Sequence, residues 1–202
     1  MIFRKKSELE ILRDNYNKSF PSYPPLMCYK NRWLYGMWLL GNNYKGSGYY
    51  GAYPPQYLKR IFSIFQDYKH SDILHLFSGS LGEDIKGMKF DIVNNFEGEV
   101  TESLVLGEAK KLSSYFNEDQ FSLILADPPY SSEDAYHYGT PLINRNIVLK
   151  ECYKILRPNG YVVWLDQVLP MYSKKLFNLV GTIGIVRSTN HRVRTVFIFK
   201  KV

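Results

Sequence analysis

Cysteine is scarce in this sequence. Cys28 and Cys152 are the only two, and they lie too far apart for a disulfide framework or for a metal-ligand or redox spacing. A reducing compartment is the simplest setting, so the expected location is the cytoplasm of a bacterial or phage-infected cell, and no metal site is expected. Long apolar runs are also lacking. No stretch approaches the roughly 20 apolar residues that a membrane span requires, and no membrane association is expected. Residues 1–6 turn polar too soon for a secretory leader. There is no internal repeat and no low-complexity tract. Acidic residues are thin at both ends of the chain. Residues 1–70 and residues 131–202 each carry 11 Lys/Arg against 4 Asp/Glu, whereas residues 71–130 carry 4 against 11. A polyanion would be drawn to the two basic flanks and repelled from the centre, although uneven charge is also what solvated faces produce.

What is present is an alternation of short apolar runs with helical patterns. Hydrophobic residues make up 45% of the chain, enough for a packed core in one α/β unit spanning 1–202. Residues 1–50 read as an irregular, aromatic and basic extension. Their one apolar run, 33–40, is a strand or short helix, and 41–51 are a glycine-rich loop. The catalytic core is expected over 51–202. Tyr53-Pro54-Pro55 opens a helix reaching about Phe65, with Tyr57, Ile61 and Ile64 as its apolar stripe. Strands are predicted at 73–77, 89–93, 103–107, 121–126 and 161–165. Helices are predicted at 144–156 and 173–179, and a closing hairpin pairs 181–187 with 194–199. The fold class is therefore α/β, a mostly parallel sheet ending in an antiparallel C-terminal hairpin, with ligands expected beyond the C-terminal ends of strands.

Two strand ends carry chemistry. The first apolar run closes on Phe77-Ser78-Gly79-Ser80-Leu81-Gly82, small residues that let a backbone approach a ligand closely. The run 121–126 closes on Asp127-Pro128-Pro129-Tyr130. An exocyclic amine on a nucleobase is a poor nucleophile because its lone pair is delocalised into the ring. A carboxylate and a backbone carbonyl that accept both N–H hydrogens draw the nitrogen toward tetrahedral geometry and stabilise its developing charge. Asp127 and the Pro128 carbonyl fit those roles, Pro129 stiffens the turn, and Tyr130 offers a ring for stacking.

The order of glycine turn, Asp91 and Asp127-Pro128-Pro129-Tyr130 resembles the amino-methyltransferases of DNA, above all small phage-type N6-adenine enzymes of the Rossmann-like S-adenosylmethionine-dependent superfamily, over about residues 33–200. The resemblance implies S-adenosylmethionine as cofactor. It implies contacts from Phe77, Ser78, Gly79 and Ser80, from Asp91 at the ribose, from Glu108 beside the adenine, from Tyr53 and Pro54 near the methionine end, and from Asp127. It implies DNA as partner, with RNA as an alternative. Ser131 and Tyr138, in a polar lid-like stretch at 131–139, and His191, Arg192 and Arg194, in the basic hairpin loop, are the expected nucleic-acid contacts. The family's first strand carries an acid where this chain has His75, which reads as a core residue. About 45 residues separate the glycine turn from the tetrapeptide, too few for an inserted recognition domain, so a separate recognition partner is an open expectation. Competing readings are an N4-cytosine enzyme, a ribosomal RNA guanine-N2 enzyme, a protein-glutamine methyltransferase and a non-catalytic nucleic-acid-binding subunit. The basic flanks speak against a protein substrate. Asp in place of Ser before the Pro-Pro leans toward adenine over cytosine.

Overall fold

The structure is a computed structural model and describes residues 4–41, 53–93, 103–187 and 193–202. Nine strands form one sheet in the order β1-β2-β8-β9-β7-β6-β3-β4-β5. They are β1 (Met27–Tyr29), β2 (Trp33–Leu40), β3 (Ile73–Leu76), β4 (Met88–Asp91), β5 (Leu104–Leu106), β6 (Phe121–Ala126), β7 (Leu156–Asp166), β8 (Phe177–Arg187) and β9 (Val193–Lys201). The block from β5 to β7 is parallel throughout. β9 runs antiparallel to both β7 and β8, as the predicted C-terminal hairpin requires. Among the described residues no helix is long and apolar enough to cross a membrane.

Alternation of side chains along the strands feeds two cores, one on each face. On one face Leu123, Leu125, Val163, Ile183 and Ile185 pack with residues of α1 (Glu8–Ser19) and α2 (Tyr57–Ile64). On the other, Leu74, Leu76, Ile124, Val162 and Trp164 pack with Leu112 and with Val148, Leu149, Cys152 and Ile155 of α4 (Arg145–Ile155). Burial on both faces explains why these strands read as continuous apolar runs.

The first fifty residues depart from the sequence expectation. Over the described residues 4–41 they are regular: α1 is followed by a β1–β2 hairpin, and β2 joins the sheet parallel to β8. The helix starts on a capping box, in which the Ser7 hydroxyl accepts from Glu10 N at 3.3 Å and the Glu10 carboxylate accepts from Ser7 N at 2.7 Å. Leu9, Leu12 and Tyr16 then recur at helical spacing and are buried. Run 33–40 is a strand. The expected helix at 173–179 is also absent. One turn forms, with Leu176 N and Phe177 N both donating to Ser173 O at 3.0 Å. From Phe177 the chain pairs with β9, because Phe177 is buried against Tyr153 and Phe199. The loop expected at 41–51 lies, beyond Gly41, outside the described residues.

β3 has β4 on one side and β6 on the other, so the chain's direction of travel across the sheet reverses there. Such a switch opens a crevice beyond the strands' C-terminal ends. Gly79, Asp91 and Asp127 all sit at this crevice.

Candidate active site

The turn after β3 is held by backbone geometry. Phe77 adopts φ +59° and Gly79 φ +57°. A left-handed phenylalanine costs on the order of 1 kcal/mol or more and persists only where its surroundings enforce it. Ser78 N donates to Phe90 O at 3.2 Å, which ties the turn to β4. Asp91, the last residue of β4, completes the clamp. Its Oδ2 accepts from Gly79 N and its Oδ1 from Ile92 N, both at 2.7 Å. Burial raises the Asp91 pKa, and these backbone donors oppose the rise. Each carboxylate oxygen retains a second lone pair. The Ser78 hydroxyl is buried without a partner among the described residues.

A cavity of about 490 Å³ opens against this turn. Of the residues expected at the site, Phe77, Gly79, Asp91, Glu108, Asp127, Pro129 and Tyr138 line it. Phe90, Ile92 and Val93 give it apolar walls, and Asn144, Ile147 and Val148 from the start of α4 close the far side. Glu108 is half exposed and pairs with Lys110 at 2.9 Å, a contact that lowers its pKa. Pockets of roughly 300–1,000 Å³ with apolar walls and a few fixed polar groups suit nucleoside-sized ligands. Ser78 does not line the cavity; Asp91, Glu108 and Asp127 are its carboxylates.

Asp127 lines this cavity, and its carboxylate also meets aromatic side chains. Its carboxyl is largely enclosed, and burial pushes its pKa up to about 7. The Arg194 charge and the Tyr130 hydroxyl, which donates to Asp127 Oδ1 in a short hydrogen bond, oppose that rise. The Arg194 guanidinium lies 4.7 Å from the Tyr130 ring centroid. Tyr53 and Tyr57 stack with centroids 5.1 Å apart, and both hydroxyls are buried with no partner among the described residues. Burial raises both phenols, and the Asp127 charge raises them further.

The remaining expected residues are placed as follows. Pro54 is buried and its carbonyl accepts from Tyr57 N at 3.0 Å, starting α2. Ser80 is in the glycine turn but off the cavity lining, and Pro128 is buried behind it. Ser131 caps α3 (Ser132–His137), its hydroxyl accepting from Asp134 N at 3.1 Å, so the stretch read as a polar lid begins as a helix. His191 and Arg192 lie outside the described residues. His75 is fully buried. Its Nε2 donates to Lys86 O at 2.8 Å, and desolvation holds its pKa down at about 4, so it is a neutral core group.

Two residues that the sequence analysis did not assign hold the turn in place. Arg145 donates to Asp166 at 2.7 and 3.3 Å and to the Tyr130 carbonyl at 2.9 Å. Asp166, at the end of β7, is fully buried and also accepts from Trp164 Nε1 and Gln167 N. A bidentate arginine–carboxylate pair is rigid, so Tyr130 is fixed through its own backbone. A charged residue closing an apolar strand beside β6 is the signal that pointed to Asp166. Tyr57 was visible in the sequence only as part of an apolar stripe.

No protein-family model matches the sequence, and no curated protein matches it. Solved structures do resemble the fold. TrmN from Thermus thermophilus superposes with a TM-score of 0.51 at 16% identity, over 75% of this chain and 50% of TrmN, so the likeness spans half the length of that protein. A SAM-dependent methyltransferase from Methanosarcina mazei gives 0.46 at 13% identity, over 69% and 97%. An rRNA methylase from Streptococcus thermophilus gives 0.42 at 12% identity, over 68% and 90%. At these identities the likeness to TrmN establishes a shared α/β fold.

Proposed function

We propose that this chain is an S-adenosylmethionine-dependent methyltransferase acting on the exocyclic amine of a nucleobase, with N6 of adenine in DNA as its substrate. The observation that carries the reading is Asp127. One carboxylate lines the 490 Å³ cavity and also bonds the tyrosine of its own Pro-Pro turn on the other side. A carboxylate with those two surroundings supports a role between a ligand in the cavity and a base at Tyr130.

When bound in that cavity, the cofactor supplies an electrophilic methyl group. Phe77, Gly79, Asp91 and Glu108 are the residues that would hold it. The protein's own work is at Asp127. The target amine takes the place of the Tyr130 hydroxyl and donates an N–H to Asp127, which restores electron density to the nitrogen. As the nitrogen gains its methyl carbon it becomes positively charged, and Asp127 takes the surplus proton. A carboxyl held near pH 7 suits that task. Tyr130, Tyr53 and Tyr57 surround the base with rings and exclude water. Because the turn lies in a crevice, a base in a duplex must be flipped out, or the substrate must be single-stranded.

Incubation with methyl-labelled cofactor and separate DNA and RNA pools, followed by nucleoside analysis, tests the proposal. Label in N6-methyladenine from DNA is expected. Label only in N4-methylcytosine, or only in N2-methylguanine from RNA, overturns the substrate while keeping the chemistry. Cofactor titration with no heat and no labelled nucleoside overturns the enzyme reading itself.

A further inference from the structure

Arg187 ends β8 and Arg194 is the second residue of β9. In the β8–β9 ladder Arg194 pairs with Ile185, and Arg187 follows two residues later, so both side chains leave the sheet on one face. It is the face covered by α2, since Ile185 belongs to the core that α2 completes. The two guanidiniums are close enough for the Arg194 charge to disfavour that of Arg187, and the field of Tyr130 reaches Arg187 as well. Both Nε atoms are buried with no acceptor among the described residues. Neither residue belongs to any of the ion pairs found among the described residues: Asp166 holds Arg145, and Asp127, whose carboxylate feels the Arg194 charge, accepts its hydrogen bond from Tyr130. Two half-buried cations on one face with a single, already bonded carboxylate in reach is an unfavourable arrangement for a resting protein, and an anion between them lowers the cost. A guanidinium fork matches phosphate oxygens in pairs.

We infer that Arg187 and Arg194 form a phosphate subsite that grips the backbone phosphate next to the nucleotide whose base enters at Tyr130. The inference rests on the nucleobase reading above. Arg194 already lies on the Tyr130 ring, so a phosphate held there belongs to the target nucleotide or its neighbour. The contact selects polynucleotide over free nucleoside without reading sequence.

The test is equilibrium binding of a fluorescein-labelled, mixed-sequence single-stranded DNA oligonucleotide, followed by anisotropy over a range of KCl concentrations. Wild type is compared with Arg187→Gln, Arg194→Gln and Arg187→Lys, each checked for folding by its thermal melt. Each glutamine variant is expected to flatten the slope of log affinity against log salt by about 0.7, the loss of one phosphate contact on a single strand. Arg187→Lys is expected to keep the slope but bind more weakly, since it keeps the charge and loses the fork. Arg194 is the arginine that lies on the Tyr130 ring, so the Arg187 variants bear on phosphate binding more than on base stacking. In methyl-transfer assays Arg187→Gln is expected to raise KM for the oligonucleotide. An unchanged salt slope in folded Arg187→Gln, with wild type binding DNA, overturns the subsite. Equal competition by inorganic phosphate, at constant ionic strength, in wild type and both glutamine variants also overturns it. If wild type binds no nucleic acid at any salt concentration, the nucleobase reading fails first.

Discussion

Asp91 ends β4 and Asp127 follows β6, on opposite sides of β3, and burial raises the pKa of both. Their partners differ. Asp91 accepts from two backbone amides that cannot move without unravelling the turn. Asp127 accepts from a side-chain hydroxyl and lies in the field of an arginine, both of which can swing away. A carboxylate fixed by backbone shapes a site. One partnered by side chains is ready to change partners, which is what acting on a substrate amine requires.

The sharpest way to break this contrast is to remove each acid in turn. Asp127→Ala is expected to cut methyl transfer about a hundredfold to a thousandfold while leaving cofactor affinity nearly intact, as single-turnover rates and calorimetry would report. Transfer near the wild-type rate would dissolve the distinction. Asp91→Ala is expected to weaken cofactor binding by about tenfold to a hundredfold, and to lower the melting temperature because Gly79 and Ile92 lose their acceptor. Full affinity in a folded Asp91→Ala protein would show that the carboxylate serves the turn alone.

A smaller effect follows from titration. With Asp127 near 7, turnover is expected to rise about tenfold from pH 6 to pH 8, the gain in ionised carboxylate. Stability runs the other way. The folded pKa lies above the unfolded one, so the fold binds the proton more tightly. Stability therefore falls as pH rises from about 4 to about 7 and is level above that. Asp127→Asn is expected to abolish the rise in activity and to melt higher than wild type at pH 8, and thermal melts across this range check the sign. The least effect is expected from Tyr130→Phe. The ring remains for stacking, but Asp127 loses a hydrogen bond that lowers its pKa. The activity profile is expected to move to higher pH with turnover above pH 8 largely kept, and an unmoved profile would separate the hydroxyl from the Asp127 titration.

Much of the architecture was legible because strands buried on both faces betray themselves as apolar runs, and β3, β4, β5, β6, β7 and the final hairpin were found that way. The Asp127–Tyr130 turn was legible because its residue types answer a specific chemical problem. Other signals were present and overlooked. Ser7 and Glu10 spell a capping box ahead of α1, and Ser131 with Asp134 marks the start of α3. The helix expected at 173–179 failed because pairing with β9 and burial of Phe177 outweighed local pattern. The Arg145–Asp166 clamp was not legible, since nothing local joins residues 21 apart on a helix and a strand end.

That clamp has a mechanical consequence. The first turn of α4 has two duties: Asn144, Ile147 and Val148 wall the cavity, while Arg145 between them grips the Tyr130 carbonyl. Whatever fills the cavity and shifts that turn of helix pulls on Tyr130 through the same arginine. Occupancy of the cavity is then expected to alter affinity for a group at Tyr130, and thermodynamic linkage makes the alteration reciprocal. Cofactor affinity measured with and without oligonucleotide reads this coupling directly, and Arg145→Lys, which keeps the charge and gives up the fork, is the variant expected to weaken it.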